Sequence, residues 1–208
     1  FIAEKPSVAK AIAAELGNVT RAEGYLQCGA DRVTWCFGHI LEMAKPEHYG
    51  EQYAKWRAED LPIIPQVWAL LPKEDAKAQL AVIGRLLKDT TEVVNAGDPD
   101  REGQLLVDEV LEHFKNRRDV KRFWVSAQDS VSIQRGLAAL KSNKDYQGLK
   151  DAALARQRAD WLIGMNFSRA YTLRAQRGGA QKTVLTVGRV QTQMLGLVAA
   201  RAGLVVEA

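Results

Sequence analysis

The sequence predicts an α/β fold, in which a mostly parallel sheet with flanking helices is followed by a mainly helical segment. Up to about residue 125, short apolar runs alternate with amphipathic stretches, which is typical of strands alternating with helices. Beyond that point the apolar residues keep helical spacing and the strand signal fades. The charge also changes, because residues 1–134 carry 17 Lys and Arg against 21 Asp and Glu, whereas residues 135–208 carry 12 against 4. We therefore expect two domains, 1–128 and 129–208.

The first domain is predicted to alternate strand and helix from its first residues. A strand end at residues 1–3 precedes a helix over Ser7–Leu16, with Ser7 as the expected N-cap and Gly17 as the stop. The later predicted elements are strands Tyr25–Cys28 and Arg32–Phe37, a proline-rich irregular connection over residues 44–73, helix Asp75–Leu87, strand Thr91–Ala96, helix Glu102–Phe114 and strand Arg122–Val125.

The second domain is predicted to be helical and basic. Its expected helices are Val131–Leu140, Lys150–Ala175 and Gly188–Ala202. Such an excess of basic residues is as typical of a surface that binds a polyanion as of a solvated face.

Several classes of protein are excluded by composition. The 208 residues contain no apolar run of about 18 residues, so no membrane span is expected. Two cysteines that do not form a CxxC pair exclude a disulfide framework and a four-cysteine zinc site, and they favour a reducing cytoplasm. Nucleotide-binding glycine loops of the GxxxxGK[ST] or GxGxxG type are absent from the sequence. The chain opens at Phe1 inside a predicted strand, which indicates a piece of a longer protein.

Three carboxylates follow the strand that ends at Ala96. Asp98, Asp100 and Glu102 lie at the expected carboxyl end of a parallel strand, where ligands of open α/β sheets gather. Bare carboxylates this close would repel one another, and Mg²⁺ bound through oxygen ligands would relieve that repulsion. The alternative is a turn that continues into a helix N-cap, with Glu102 in the first helical turn.

Glu4 and Lys5 stand at the same kind of junction, between the first strand and the first helix. On their own they would be an ordinary surface ion pair. Because neighbouring parallel strands end at the same edge of a sheet, these two residues are also placed to join the three carboxylates.

At these residues the chain resembles a known family. The stretches IAEKPS (2–7) and AGDPDREG (96–103) resemble the Toprim domain, a metal-binding, Rossmann-like α/β module of topoisomerases, primases and some nucleases. Their wording is most similar to type IA DNA topoisomerases of the bacterial topoisomerase III group. CFGHILE (36–42) and YAKW (53–56) fit the same family, as do ARQRADWLIGMN (155–166) and LTVGRVQT (185–192) in the basic part. Thr186 stands where the family motif usually has Ser.

The resemblance implies a division of roles among these residues. Glu4, Asp98 and Asp100 would hold Mg²⁺, and Glu4, Lys5 and Glu102 would act at the scissile phosphate. The residues implied to bind single-stranded DNA are Trp56, Arg156, Trp161, Arg169, Arg177, Thr186, Val187, Gly188, Arg189, Val190 and Gln191. Trp161 has core packing as its alternative.

The resemblance also implies a nucleophilic tyrosine that forms a 5′-phosphotyrosine with DNA. No tyrosine of this sequence has the expected motif context, and residues 202–208 depart from the acidic helix expected there, so the isolated chain is expected to lack strand-breaking activity. We expect a cytoplasmic, nucleoid- or plasmid-associated monomer whose partner is single-stranded DNA, with any helicase or single-strand-binding protein partner left open. The alternatives are another Toprim enzyme, a nuclease or a primase, and a non-catalytic module that binds single-stranded DNA.

Overall fold

The computed structural model describes residues 1–180 and 183–203, which form six α-helices and nine strands. The helices are α1 Pro6–Leu16, α2 Lys77–Lys88, α3 Arg101–His113, α4 Ser130–Ala138, α5 Gln147–Arg177 and α6 Gln191–Arg201. The strands are β1 Ile2–Ala3, β2 Val19–Ala22, β3 Tyr25–Cys28, β4 Asp31–Trp35, β5 Leu41–Met43, β6 Leu70–Pro72, β7 Val93–Ala96, β8 Val120–Arg122 and β9 Lys141–Ser142. Residues 204–208, which include most of the divergent end, lie outside the described part.

Seven of these strands form one sheet in the order β2-β3-β4-β1-β7-β8-β9. The four central strands, β4, β1, β7 and β8, are parallel, and the strands toward both edges pair antiparallel. In the central register Ile2 faces Asn95, and Asn95 faces Arg122 on the next strand. The predicted α/β fold with a mostly parallel sheet and flanking helices, followed by a long helix, is therefore confirmed.

Alternate side chains of the central strands supply two separate hydrophobic clusters. Ile2 and Val93 pack with the apolar sides of α2 and α3, whereas Ala3 and Val94 pack with those of α1 and α4. This alternation is what a strand period of two residues produces in a sheet covered on both faces. Strand β7 is accordingly buried along its whole length.

The chain divides into two compact units, each built from two stretches of sequence. Unit 1 comprises Phe1–Glu42 and Leu70–Leu154, and unit 2 comprises Met43–Ala69 and Ala155–Ala208. Residues 129–154 belong spatially to unit 1, since β9 pairs with β8 and α4 packs against α1. The division at residues 128 and 129 stays a prediction from sequence.

The structure corrects the start of the first helix and the position of one strand. Helix α1 begins at Pro6, with Lys5 as an extended N-cap that makes no side-chain capping bond, so Ser7 is not the N-cap. Proline is favoured in the first turn because its φ is already helical and its missing N–H costs nothing there. Strand β8 ends at Arg122, where the prediction had it begin, and Phe123 is buried in the core just beyond its end.

No helix in the described part of the chain is long and apolar enough to cross a membrane.

Candidate metal and nucleic-acid site

The acidic loop, residues 97–102, leads from β7 directly into α3. Two glycines bring the loop and the helix into close contact. A methyl group on Gly97 would lie 2.1 Å from the carbonyl oxygen of Gly103, and one on Gly103 would lie 2.4 Å from the carbonyl oxygen of Asp98. Any side chain at either position would push the loop away from the helix. Because neither glycine has a side chain, Asp98 can lie directly against the first turn of α3.

Asp100 is the N-cap of α3. Its backbone is extended and its Oδ1 accepts a hydrogen bond of 2.7 Å from the backbone N–H of Gly103. This bond satisfies one of the backbone donors that a helix leaves free at its start. The turn-and-cap interpretation is confirmed for Asp100, although a carboxylate has a second oxygen that can serve another partner. Glu102 follows in the first turn of the helix, as predicted.

Glu4, Lys5 and Asp98 come together although 93 residues separate Lys5 from Asp98. The reason is that β1 and β7 are adjacent and parallel, so both strands end at the same edge of the sheet. Lys5 Nζ lies 2.6 Å from Asp98 Oδ2 and 3.3 Å from Glu4 Oε1. The backbone N–H of Asp98 also donates to Glu4 Oε2 at 3.3 Å. The hydrogen bonds to Asp98 and then to Glu4 raise the pKa of the Lys5 ammonium.

The donor atoms at this edge have the right chemistry for a hard divalent cation, since Glu4 and Asp98 offer carboxylate oxygens only. In the described ranges, 1–180 and 183–203, no three His, Cys, Asp or Glu side chains are grouped closely enough to hold a metal. Two contacts explain this. Lys5 lies between Glu4 and Asp98 as the local cation, and Asp100 turns one oxygen toward the start of α3. Metal binding by Glu4, Asp98 and Asp100 stays a prediction.

His39 lies beyond β4, in unit 1. Its Nδ1 is 3.8 Å from Glu109 Oε2, and Glu109 is buried on α3 with its second oxygen unpaired. The interaction with Glu109 raises the pKa of His39 more than partial burial lowers it. His39 is therefore paired with a buried carboxylate, which favours its protonated form.

In unit 2, the motif 185–192, which contains the predicted DNA-binding residues 186–191, is attached to the long helix α5. The backbone N–H groups of Leu185 and Val187 donate to the hydroxyls of Thr172 and Ser168 at 2.9 and 2.8 Å. Those two hydroxyls are four residues apart, so they lie one turn apart on the same side of α5. They hold alternate residues of the segment, which leaves Thr186 exposed between them.

Arg189 in this segment pairs with Asp160 on α5. Its Nε and Nη2 lie 2.5 and 3.1 Å from the two oxygens of Asp160, a two-point contact that raises the pKa of Arg189 and lowers that of Asp160. Arg156 Nε stands 3.8 Å from the same carboxylate. The predicted Arg156 and Arg189 are thus brought together by Asp160, with their side chains 38% and 41% exposed.

Two predicted DNA-binding residues are placed in the core of unit 2 instead. Trp161 is 6% exposed, donates from Nε1 to the carbonyl oxygen of Ala44, and meets Tyr49 and Trp68 edge-on. No face of its ring is open to a base, so the core-packing alternative holds for Trp161.

Arg169 is the second buried residue of the predicted set. It is 5% exposed, donates to the carbonyl oxygen of Tyr53 at 2.8 Å, and lies over the ring of Trp56 at 5.2 Å. Burial lowers its pKa. Arg169 is therefore enclosed within the unit, and Trp56 is 38% exposed with one face already covered by Arg169.

The other predicted contact residues lie at the surface of unit 2. Arg177 is exposed in the last turn of α5. Gln191 is exposed at the start of α6, where its side-chain amide lies 3.4 Å from Thr186 Oγ1, and the backbone N–H of Gly188 donates to Thr192. Val190, in the turn before α6, is 61% exposed. DNA binding by these residues stays a prediction.

Comparison with known proteins places this arrangement in a family. Residues 1–128 match the Toprim domain, and residues 144–205 match a family described as DNA topoisomerase. The chain belongs to the Toprim domain family.

The Toprim chain is similar to curated proteins named DNA topoisomerase 3. It is 50% identical over 207 residues to the one from Vibrio cholerae, covering 97% of this chain and 32% of that protein. It is 40% identical over 202 residues to the one from Bacillus subtilis, covering 96% and 27%. The chain thus spans between about a quarter and a third of the length of these relatives. A full-length topoisomerase I from Thermotoga maritima shares the fold, with a TM-score of 0.62, 21% identity and coverage of 97% of this chain and 30% of that one.

One feature of this Toprim site was not predicted from sequence. Next to the acidic loop lies a polar network whose members are the buried Asn95, Gln104, Asp108 and Arg122 and the partly buried Asn143. The only sequence signal is that Asn95 interrupts the apolar strand β7. A polar residue inside a strand buried on both faces must find partners there, so this signal predicts that Asn95 has buried partners without identifying them.

Proposed function

We propose that this chain supplies the metal site and part of the single-stranded DNA groove of a type IA DNA topoisomerase of the topoisomerase III kind. Such an enzyme breaks one DNA strand through a 5′-phosphotyrosine and rejoins it with Mg²⁺. The observation that carries the proposal is the meeting of Glu4, Lys5 and Asp98 at one edge of the parallel sheet. The similarity to proteins named DNA topoisomerase 3 supports it.

The residues at this edge divide the work by charge. Glu4 and Asp98, with the second oxygen of Asp100, would hold Mg²⁺, which supplies positive charge near the scissile phosphate. Lys5 has a half-exposed side chain, so its ammonium is free to pair with a phosphate oxygen once Asp98 takes another partner. A compact ammonium there stabilises the negative charge that develops on the phosphate during transfer.

Unit 2 would bind the DNA strand through the phosphates of the DNA backbone. Arg156 and Arg189 are oriented by Asp160, and Arg177 is exposed, so their guanidinium groups can pair with phosphates. Thr186 and Gln191 offer polar groups beside them.

The nucleophilic tyrosine is proposed to lie outside these residues. Tyr49 accepts from the backbone N–H of Ala69 and packs on Trp161, and Tyr146 is stacked on Trp124. Both rings are used in packing, and none of the tyrosines carries the family's motif.

The first experiment mixes the chain with a single-stranded oligonucleotide labelled at both ends, with and without Mg²⁺, and quenches in detergent. Binding without cleavage is the expected result. A covalent adduct would mean that a catalytic tyrosine lies within the chain, and Mg²⁺-dependent cutting without an adduct would favour a nuclease.

The second experiment substitutes this chain for the matching 207 residues of the Vibrio cholerae relative and follows relaxation of negatively supercoiled DNA. We expect Mg²⁺-dependent relaxation that is lost with Asp98→Asn, since the substitution removes a charge at the proposed metal site. A correctly folded chimera that relaxes DNA equally well with Asp98→Asn would refute the proposed role of this edge.

A further inference from the structure

We infer that Arg122, which is fully buried on β8, is a positioning residue that holds the acidic loop in the shape needed to bind a divalent cation. The inference rests on the proposed function and deepens it, because it names the group that sets the geometry of the metal site.

The contacts of Arg122 are directed at the backbone of the loop. Its Nη1 donates to the carbonyl oxygens of Asn95, Gly97 and Phe123 at 3.1, 2.8 and 2.6 Å, and its Nη2 donates to that of Asp98 at 2.8 Å. Three of these four carbonyls belong to the end of β7 or to the acidic loop. The guanidinium thus ties the strand end and the first two loop residues to one rigid planar group.

The register of the sheet explains why Arg122 can do this. Arg122 faces Asn95 on the neighbouring parallel strand, so its side chain starts beside the last residues of β7 before the loop. Its Nε donates to Gln104 Oε1 at 2.7 Å, which fixes the guanidinium from the α3 side as well. Trp124 covers its face, with the Arg122 guanidinium carbon 4.7 Å from the ring centroid.

The rest of the buried network locks Gln104 in turn. Gln104 donates to Asp108 Oδ2 at 2.8 Å and to Asn143 Oδ1 at 2.8 Å, and Asn143 and Asn95 donate to Asp108 Oδ1 at 2.8 and 3.2 Å. Burial raises the pKa of Asp108 despite these bonds. A network in which each member is held by several partners gives Arg122 one orientation.

Arg122 also brings a positive charge beneath carboxylates, and this charge works against metal binding. The side-chain hydrogen bonds of Arg122 described above go to neutral acceptors, namely four backbone carbonyls and the side-chain oxygen of Gln104, so none of them pairs its charge with a carboxylate. Removing the side chain would therefore loosen the loop and also remove a repelling cation. The two effects change metal affinity in opposite directions, so the sign of the change identifies the one that dominates.

The test measures Mn²⁺ affinity of the 208-residue chain by the electron paramagnetic resonance signal of free Mn²⁺. Arg122→Lys keeps the charge but replaces a planar fork by a single ammonium, and Arg122→Met removes both. We expect each variant to bind Mn²⁺ about 10- to 100-fold more weakly, the range found when outer partners of metal ligands are lost. Ile83→Ala, in the hydrophobic core on α2, is the matched control for lost stability and should leave the affinity unchanged.

The outcomes separate this inference from the proposed function. Wild-type affinity in Arg122→Lys, or tighter binding in Arg122→Met, would show that Arg122 acts through charge alone and would overturn the positioning role. If Asp98→Asn weakens Mn²⁺ binding while folded Arg122 variants do not, the metal site stands and the inference fails alone. If the wild-type chain does not bind Mn²⁺, both fail. Circular dichroism of every variant checks that it is folded, and Arg122→Lys, which keeps a cation in the pocket, decides the matter if Arg122→Met does not fold.

Discussion

The acidic loop of unit 1 and the arginines of unit 2 were both predicted to be functional, but the surroundings of their side chains in the structure differ. Glu4, Lys5 and Asp98 meet at one edge of the sheet, whereas Arg169 is buried against Tyr53 and Trp56. A residue at the end of a parallel strand has its neighbours fixed by the sheet. A residue on a helix has its neighbours fixed by whatever covers that helix, and here residues 43–69 cover part of α5 within unit 2. Strand-end charges are therefore the better guide to a site.

The strongest test of this contrast is the pair Trp161→Ala and Trp56→Ala. Trp161 is enclosed in unit 2, so its truncation should cost about 3–5 kcal/mol of the free energy of unfolding. Trp56 is 38% exposed and should cost clearly less. Urea unfolding followed by circular dichroism measures both. Near-wild-type stability of Trp161→Ala would restore a surface role for Trp161.

The arginines provide a second test. Arg169→Met removes a buried charged hydrogen bond and should cost about 1.5–3 kcal/mol of stability, with little effect on affinity for single-stranded DNA. Arg177→Met, at an exposed position on the same helix, should change stability by no more than about 0.5 kcal/mol. It should weaken DNA binding and lower the salt dependence of that binding. Titration of a labelled single-stranded oligonucleotide at several salt concentrations measures the DNA affinity of both variants. A loss of affinity in the Arg169 variant, with none in the variant of the exposed arginine, would contradict this division of roles.

Asp100 allows capping to be separated from metal binding. Asp100→Ala should lower the free energy of unfolding by about 1 kcal/mol because the bond to the N–H of Gly103 is lost. Asp100→Asn should keep the stability, since asparagine caps equally well, but it removes the charge. Comparing Mn²⁺ affinity of the Asn variant with wild type then reports on the metal role alone. Unchanged affinity in that variant would confine Asp100 to capping.

The smallest expected effect is the pH dependence contributed by His39. The pKa of His39 is raised above its ordinary value of 6.5, first by Glu109, with Glu102 acting in the same direction and Lys73 and burial opposing. A raised pKa means that the folded state binds the proton more tightly. The stabilisation is complete below pH 6.5 and is lost as the pH rises through the folded value. An NMR titration of the His39 imidazole should give a pKa above 6.5, which Glu109→Gln should lower.

Much of the fold could be predicted, because its central strands are short apolar runs separated by helices with a clear apolar side. The edge strands β2 and β9 could not, since Val19–Ala22 and Lys141–Ser142 are largely exposed and lack an apolar pattern. The helix over 101–113 was predicted within one residue at each end, since Asp100 marks its start.

The candidate site could be predicted only in part. The sequence predicts that Glu4, Lys5 and Asp98 lie at strand ends, and the parallel pairing of β1 with β7 brings those ends together. The network around Arg122 depends on which strand lies beside β7, which no local pattern states. The burial of Trp161 and Arg169 depends on a segment about a hundred residues earlier in the chain, so helical periodicity on α5 alone could not reveal it.

The interrupted layout of the two units has a consequence for synthesis on the ribosome. Trp68 leaves the ribosome 93 residues before Trp161, the ring it meets in the folded chain. At about 5–20 residues per second, that delay is roughly 5–20 seconds. During it the stretch 43–69, with Val67 and Trp68 among its apolar residues, has no helix to pack on. The apolar residues of this stretch that pack on α5 in the folded chain therefore stay uncovered until α5 has been synthesised.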